Sequence, residues 1–367
     1  MTQLKANPPA MTPADERGGL YLNPITGVGI LGTASAFPTE LGEWVANDDV
    51  HRALYGADWR ATMAQRNLDP AYPEKKHGFV RRYRVSQVGS SNAESTATSA
   101  DFMEAAARDA LHNAGVAGEE IDLFIAVTTT SPRYTTSLGA LVGGRLGLHC
   151  ASFELKAGCS SNLYALALAY QLIAGGARRV LIAGGETLSR ITPPEAPLAY
   201  ATGDAGAAVV LGRVDDPARG LCAAYLNSDG SYAHAMGTPG TLPPRLDSPG
   251  AGDFYLGMSS EVNAPVQERW LNVGRWLQAE AARRALPIRA FVAHQPSVPL
   301  VRAAADAAGV SERALVETVR MYGNCGSVSV LIALHAARGD GRAAPGENVM
   351  FAAVGGGLAW GGLLVVA

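Results

Sequence analysis

Residues 153–170 read FELKAGCSSNLYALALAY, and this stretch decides the fold. A strand-like run stops at Gly158, and an apolar helix is predicted to begin at or just after Cys159. A strand that passes through a glycine turn into a helix is typical of α/β proteins. Because the residues from Leu163 to Ala174 would be apolar on every face of that helix, we expect it at the centre of a large core.

The uncharged stretch extends from Ala157 to Ala177, which is long enough to consider a membrane span. Polar Ser160, Asn162 and Gln171 and a pair of glycines near its end argue against that alternative. We therefore interpret it as a buried helix of a globular protein.

The composition of the 367 residues excludes several classes of protein. With 48% hydrophobic and 17% charged side chains, the chain can bury a large core and is not disordered. Lys and Arg number 30 against 33 Asp and Glu, a formal net charge of −3, so neither a nucleic-acid-binding stripe nor a polybasic membrane patch is indicated. We expect a small or carrier-borne partner.

The four cysteines are too few and too unevenly spaced for a disulfide scaffold, and none forms a C-x-x-C pair. We expect a reduced, cytoplasmic protein that holds no metal. The glycine runs lack the arrangement of a dinucleotide site, and we expect no cofactor. The first residues contain no apolar run of the kind that a signal peptide needs.

Alternating strand-like and helix-like segments predict two α/β halves. Residues 301–310 echo the helical pattern of 105–115, and 289–297 echo the strand-like pattern of 121–130. We divide the chain into an N-terminal extension (1–26), an N-terminal half (27–215) and a C-terminal half (216–367). A long loop is expected from Ser228 to Asp253.

Cys159 is the first candidate for chemistry. A thiol at the start of a helix meets unpaired N–H groups and the positive end of the helix dipole, which favour the thiolate. This predicts a nucleophile. The alternative is a small buried hydrophobic residue, the usual fate of a free cysteine.

His294 and Asn324 are two further candidates. In VAHQPS, His294 ends an apolar strand, at the edge where ligand sites collect in α/β sheets, although a structural histidine would look the same. In MYGNCGSVS, Asn324 lies in a turn that opens an apolar helix, where asparagine is most often a cap. Together with Cys159, the two could supply a thioester link and two neutral hydrogen-bond donors for an enolate, as carbon–carbon bond formation requires.

In this order, the three residues resemble those of the β-ketoacyl-acyl carrier protein synthase III enzymes of the thiolase superfamily. The resemblance runs from about Gly27 to Ala367 and includes ILGTASAFP, IDLFIAVTTTSP, RLGLHCASFELKAGCSS, GDAGAAVVL, VAHQPS, YGNCGSVSV and VGGGLAWGGLLV. It implies a thiolase-like α/β fold, with two pseudo-repeated halves in five layers (αβαβα), and a homodimer.

By position, the resemblance makes Cys159 the acyl-accepting nucleophile and makes His294 and Asn324 the pair that stabilises the malonyl-derived enolate. It assigns the oxyanion hole to the backbone N–H groups of Cys159 and Gly356. Tyr134 falls where the family places a residue that closes the partner's acyl pocket.

The same resemblance places Tyr72, Lys76 and Ser297 at the substrate entrance. Tyr72 and Lys76 align with a Trp and an Arg that in the family commonly lie around the adenine of coenzyme A. Ser297 lies in the stretch after the histidine, which commonly reads H-Q-A-N-x-R in the family and reads HQPSVP in this chain. Arg-to-Lys is not neutral where a guanidinium stacks on a base, which favours a donor bound to an acyl carrier protein.

The resemblance implies a condensing enzyme in polyketide or fatty-acid-derived secondary metabolism, because the extension and the enlarged segment from Asp49 to His77 exceed the housekeeping pattern. Two alternatives stay open: acyl transfer without decarboxylation, and a non-catalytic subunit that would tolerate Cys159→Ala. Glu186, after a strand-like run, is interpreted as structural rather than as an acid catalyst.

Overall fold

The computed structural model describes residues 18–88, 96–193, 197–240 and 251–367, with side chains omitted at 251 and 252. The helices of this part of the chain are α1 Asn47–Tyr55, α2 Trp59–Gln65, α3 Ser99–Ala114, α4 Leu138–Leu146, α5 Ser161–Ala174, α6 Asn263–Arg284, α7 Val298–Ala307, α8 Val319–Tyr322 and α9 Ser329–Gly339. The strands are β1 Leu20–Leu22, β2 Ile25–Thr26, β3 Val28–Ala36, β4 Glu43–Ala46, β5 Arg81–Arg84, β6 Leu123–Val127, β7 Ala151–Leu155, β8 Arg179–Thr187, β9 Asp204–Arg213, β10 Gly220–Ser228, β11 Met236–Gly237, β12 Gly257–Met258, β13 Ala290–Ala293, β14 Asn348–Gly355 and β15 Ala359–Val366.

Two mixed sheets form the framework. The first has the order β3-β9-β8-β6-β7, in which β6 runs parallel to both β7 and β8. The second has the order β1-β10-β15-β14-β13, with β13 and β14 parallel and β2 also paired with β10. Cys159 follows the carboxyl end of β7 in the first sheet, and His294 follows the carboxyl end of β13 in the second.

Side-chain alternation along the strands separates the layers. On β6, Phe124 and Ala126 pack with α3 and α4, whereas Ile125 and Val127 face α5 and α9. On β14, alternate residues face α5 and α9 on one side and α6 and α7 on the other. The layers are thus helices, sheet, helices, sheet, helices, and the predicted five-layer thiolase-like fold is confirmed.

Helix α5 lies in the middle layer, as its uniformly apolar sequence predicts. Leu163, Leu166, Ala169 and Ile173 are fully enclosed or nearly so between the two sheets. Within the described ranges no helix has both the length and the apolar character that crossing a membrane requires.

A smaller unit covers one side of the molecule. Helices α1 and α2 pack beside the β4–β5 pair, and the π-helical turn Pro73–His77 follows them. A small apolar cluster joins Val45, Val50 and Phe79 of this unit to Val298 and Val319, at the starts of α7 and α8. The enlarged segment from Asp49 to His77 therefore packs next to the segments that carry Ser297 and Asn324.

Residues 20–26 of the expected extension form β1 and β2 on β10 of the second sheet, and residues 1–17 lie outside the described part. Of the expected long loop, 241–250 also lie outside it. The flanking strands β11 and β12 pair with each other, which brings the two ends of that segment together.

Candidate active site

Cys159 lies in a tight turn between β7 and α5. Gly158 has φ of +57°, and a Cβ there would lie 2.6 Å from the carbonyl oxygen of Gly356. A side chain at position 158 is thus excluded both by backbone conformation and by contact with the β14–β15 turn. The glycine places Cys159 directly against Gly356.

Serine hydroxyls fix this turn. The N–H of Ala157 donates to Oγ of Ser161 at 2.6 Å, and that hydroxyl donates to the carbonyl of Gly158 at 2.6 Å. Oγ of Ser160 donates to the carbonyl of Ala359 on β15 at 2.6 Å. These bonds hold the start of α5 to the second sheet, so the position of Cys159 depends on both sheets.

The environment of the Cys159 thiol is less favourable to a thiolate than the sequence predicts. Burial, followed by the nearby carboxylate of Glu186, raises the pKa of Cys159 to about 12, although the backbone N–H groups of Gly356 and Cys159 donate to the sulfur. The expectation of a resting thiolate is wrong, because desolvation and a like charge outweigh the helix start. The resting residue is a neutral thiol, and its acylation needs a base.

His294 follows the last residue of β13 and is 2% exposed. Its backbone N–H donates to the carbonyl of Ala352 on β14 at 2.9 Å, which extends the sheet pairing to the histidine itself. The ring of Trp270 on α6 lies nearly parallel to the imidazole, with 6.3 Å between ring centroids. Burial lowers the pKa of His294 to about 3, so the imidazole is neutral over the physiological range.

Ser329, the first residue of α9, contacts the ring of His294. Its Oγ lies 2.7 Å from Nδ1 of His294 and donates to the carbonyl of Gly326 at 2.9 Å. Oγ also accepts the backbone N–H of Gln295 at 3.3 Å. Nδ1 is thus held by the protein, which leaves Nε2 as the nitrogen available for chemistry.

Asn324 is fixed by its backbone and by one end of its side chain. Its N–H donates to the carbonyl of Ala201 at 2.6 Å, and its carbonyl accepts the N–H of Gly203 at 3.0 Å. The N–H of Gly326 donates to Oδ1 of Asn324 at 2.9 Å. This bond assigns the amide orientation: Nδ2 is the opposite end, and the described residues offer it no acceptor.

Gly326 and Glu186 connect the three predicted residues. Gly326 bonds Asn324 through its N–H and Ser329 through its carbonyl, and Ser329 in turn contacts His294. A Cβ on Gly326 would lie 3.4 Å from the carboxyl carbon of Glu186, the group whose charge acts on the Cys159 thiol. His294 and Asn324 are thus linked through Gly326 and Ser329, and the Glu186 carboxylate beside this loop is the one that raises the pKa of Cys159.

Glu186 is the penultimate residue of β8 and is completely buried. Its carboxylate accepts the N–H groups of Thr129 at 3.0 Å and Ser327 at 3.3 Å, together with the hydroxyl groups of Thr129, Thr130 and Ser327. Burial raises the pKa of Glu186, and these donors act in the opposite direction. Its position agrees with the structural interpretation, since the carboxylate ties the loop after β6 to the loop that carries Asn324.

Of the residues assigned to the substrate entrance, Tyr72 and Lys76 are exposed, whereas Ser297 is buried at the start of α7. Ser297 is the N-terminal cap residue of α7. The π-helical turn that contains Lys76 is followed by Gly78, and this glycine packs closely against α7, since a Cβ there would lie 2.2 Å from Cγ2 of Val298. Tyr134 is 65% exposed on the loop between β6 and α4, and none of its contacts with the described residues brings it to this site.

Sequence reasoning missed Ser329, Trp270 and Gln295. The side chain of buried Gln295 bonds the carbonyls of Ala293 and Val316 and the N–H groups of Thr318 and Val319, which joins the end of β13 to α8. A buried glutamine beside a candidate histidine is a signal that could have been noticed. Ser329 carries a weaker signal, a hydroxyl in the first turn of an apolar helix.

Comparison with known proteins identifies the family to which the chain is similar. Residues 153–230 match the family model 3-oxoacyl-[acyl-carrier-protein (ACP)] synthase III, and residues 279–367 match the model of its C-terminal region. The chain is 33% identical over 273 residues to the β-ketoacyl-[acyl-carrier-protein] synthase III of Thioalkalivibrio sulfidiphilus, covering 73% of this chain and 84% of that protein. It is 31% identical to the enzyme of the same name from Alkalilimnicola ehrlichii, over 92% of this chain and 98% of the relative.

The fold has a close counterpart among solved structures. The 3-oxoacyl-[acyl-carrier-protein] synthase III from Aquifex aeolicus superposes with a TM-score of 0.78, at 24% identity, over 93% of this chain and 100% of that one. The sequence matches and the shared fold together lead to one conclusion: this chain belongs to the 3-oxoacyl-[acyl-carrier-protein] synthase III family of condensing enzymes.

Proposed function

We propose that this protein acylates Cys159 and then condenses the acyl group with a malonyl-type thioester, releasing CO₂ and a β-ketoacyl thioester. The observation that carries the proposal is the pairing of two neutral donors. His294 has its pKa held at about 3, and Asn324 has its Oδ1 occupied by Gly326. A buried neutral imidazole and an amide can stabilise an oxyanion without neutralising it by proton transfer.

In the first half-reaction, the Cys159 thiol passes its proton to Nε2 of His294 as the sulfur attacks, because a nitrogen with a pKa of about 3 does not take the proton of a thiol with a pKa of about 12 in a separate step. The sulfur attacks the thioester carbonyl, and the backbone N–H groups of Cys159 and Gly356 bind the oxygen that becomes negative. The C–S bond of the donor breaks, and the departing thiolate takes the proton from His294. Because these N–H groups already donate to the sulfur, the acyl oxygen needs little rearrangement to reach them.

In the second half-reaction, the malonyl thioester loses CO₂ and its thioester carbonyl becomes an enolate. Nε2–H of His294 and Nδ2–H of Asn324 stabilise the enolate oxygen. The enolate carbon attacks the acyl carbonyl on Cys159, the carbon–carbon bond forms, and the Cys159–acyl bond breaks. The cysteine thiolate then takes a proton from solvent, because its original proton left with the thiol released in the first half-reaction.

The experiment that tests this function supplies an acyl thioester and carboxyl-labelled malonyl thioester to the purified protein. We expect labelled CO₂ and a product two carbons longer than the acyl donor. Acylated Cys159 without CO₂ would favour the second candidate, acyl transfer to a hydroxyl or thiol acceptor. One observation favours that candidate. When the Ser329 hydroxyl donates to the Gly326 carbonyl, its oxygen accepts the proton of Nδ1 of His294, so the lone pair lies on Nε2, where a general base for an acceptor needs it.

For the acyl donor, we propose an acyl group on a carrier protein and a role in polyketide or fatty-acid-derived secondary metabolism. The support lies in the sequence of the predicted entrance, where Ser297 stands in place of the family's Asn and where Pro299 and Lys76 stand in place of its two Arg residues. Intact-protein mass spectrometry of Cys159 after incubation with carrier-bound and coenzyme A-bound acyl groups identifies the donor directly. Faster acylation from coenzyme A thioesters would contradict the proposal.

We further propose that two copies of the chain associate through β7. This strand is one edge of the first sheet, its residues are only partly buried, and within the described ranges no strand pairs with its outer side. Unpaired edges of this kind pair readily with a second strand. Exposed Tyr134 precedes α4, which packs against β7. We expect light scattering to show a dimer, and we expect Tyr134→Ala to change the acyl chain length that this dimer prefers.

A further inference from the structure

The imidazole of His294 has two polar neighbours, one that can donate or accept a hydrogen bond and one that can only accept. One is the hydroxyl of Ser329, at 2.7 Å from Nδ1, which can donate or accept. The other is the carbonyl of Gly326, which lies within reach of the imidazole and can only accept. These two groups decide which ring nitrogen carries the single proton of the neutral imidazole.

The Ser329 hydroxyl has one proton and two possible acceptors. When it donates to Gly326, at 2.9 Å, Oγ accepts from Nδ1–H and the lone pair of the ring lies on Nε2. When the hydroxyl turns toward Nδ1, the ring proton lies on Nε2. The N–H of Gln295 donates to Oγ in either case and keeps the oxygen in place.

The two half-reactions need opposite forms of Nε2. Removal of the Cys159 proton needs a lone pair there, whereas stabilisation of the enolate needs an N–H. We propose that Ser329 is a positioning residue that keeps the Nε2–H form of His294 accessible, and that the condensation step depends on its hydroxyl for this reason. The inference rests on the function proposed above.

Ser329→Ala separates the two forms. Without the hydroxyl, Nδ1 loses the neighbouring group that can donate a hydrogen bond to it, so the Nε2–H ring loses its partner, whereas the Gly326 carbonyl near the ring can only accept. We expect acylation of Cys159 within about twofold of the wild-type rate and malonyl decarboxylation at least tenfold slower. Ser329→Thr, which restores a hydroxyl, should recover most of the decarboxylation rate.

A matched control exists in the same molecule. Oγ1 of Thr33 lies 3.1 Å from Nδ1 of His335, a second hydroxyl–histidine pair, on β3 and α9 and outside the proposed machinery. Thr33→Val removes that hydroxyl at nearly constant volume. Both half-reactions should proceed at wild-type rates in this variant.

The ring itself gives an independent readout. Nitrogen-15 shifts of labelled histidine, assigned with His294→Gln, should show a larger Nδ1–H fraction in Ser329→Ala than in the wild type. Equal tautomer fractions, or equal losses in acylation and decarboxylation, would overturn the proposal. If the wild type releases no CO₂, the proposed function fails instead, and the tautomer measurement still decides the role of Ser329.

Discussion

The backbone N–H of Gly326 donates a 2.9 Å hydrogen bond to Oδ1 of Asn324, and this contact determines which end of the amide is available to a substrate. Since Oδ1 is occupied, the side chain can present only Nδ2, a donor. The same glycine contacts Ser329 through its carbonyl, so the Asn324 amide and the His294 ring are oriented by one residue.

Asn324→Asp tests the donor role. The carboxylate has almost the shape of the amide but replaces the Nδ2 donor with an acceptor and adds a negative charge next to a developing enolate. We expect malonyl decarboxylation to fall by about 10²–10³, the usual effect of losing one oxyanion donor. Acylation of Cys159 should remain within a few-fold of the wild-type rate.

The matched control is Asn348→Asp at the start of β14, where the side chain donates to the Pro287 carbonyl near the surface. It makes the same chemical change outside the site and should leave both rates unchanged. Equal losses of acylation and decarboxylation in Asn324→Asp would argue for a general structural role of Asn324.

Gly355→Ala should disable the acylation step. A Cβ at this position would lie 2.6 Å from the backbone nitrogen of Cys159 and 2.7 Å from that of Ser160. Backbone atoms cannot yield as a flexible side chain does, so the turn that carries the thiol must shift. We expect a loss of stability of about 1–3 kcal/mol and acylation of Cys159 at least tenfold slower, measured by chemical denaturation and intact-protein mass spectrometry.

Gly144→Ala is the companion variant. Gly144 lies within α4, has ordinary helical backbone angles, and nothing lies within 4 Å of a Cβ placed there. Alanine should stabilise the helix by about 0.5–1 kcal/mol and leave acylation unchanged. Wild-type acylation in Gly355→Ala would show that the contact with Cys159 does not hold the thiol in place.

The sequence was sufficient to predict elements whose pattern is strong and local. The apolar run after Cys159 predicted α5, and GVGILGTASAF predicted β3, because burial on every face or on alternate faces leaves a clear periodicity. The placement of the candidate residues at the ends of strands followed from the same patterns. These helices, strands and strand ends depend on residues that are close in the sequence, and the sequence pattern therefore predicts them.

The electrostatics of the site could not be predicted in this way. A cysteine before a helix indicated a low pKa, but the thiol also lies near the buried carboxylate of Glu186, which comes from another strand. Ser329 was missed for a similar reason, since its partner His294 comes from β13. Contacts between residues far apart in the chain decide the protonation states, and the sequence does not reveal them.

Glu186→Gln should make the Cys159 thiol more reactive. Removing the nearby negative charge lowers the pKa of Cys159, so alkylation by iodoacetamide at pH 8 should become several-fold faster. In the wild type, a pKa of about 12 predicts a rate that rises about tenfold per pH unit from pH 7 to 10 without a plateau. Peptide mass spectrometry measures each cysteine separately.

The control for this variant is Glu104→Gln on the surface of α3, where Glu104 pairs with Arg108. It removes one negative charge outside the site and should not change the alkylation of Cys159. An alkylation rate of Cys159 that is unchanged in Glu186→Gln would mean that burial alone sets its pKa.

Buried His294 should make the stability of the protein depend on pH. Its pKa is lowered by burial from the ordinary 6.5 to about 3, so the unfolded chain binds a proton at this residue below pH 6.5 and the folded chain does not. The stabilising contribution is therefore present above pH 6.5 and is lost as the pH falls from 6.5 toward 3. Between pH 7 and 5 the loss attributable to His294 is about 2 kcal/mol.

His294→Gln isolates this contribution, because glutamine does not titrate. Urea denaturation at pH 7, 6 and 5 should show a free energy of unfolding that falls less steeply in His294→Gln than in the wild type, whatever the absolute stability of the variant. His51, which is also buried and has a lowered pKa, titrates in both proteins and cancels in the comparison. Parallel pH profiles would mean that His294 keeps an ordinary pKa in the folded protein, so that burial does not hold its imidazole neutral.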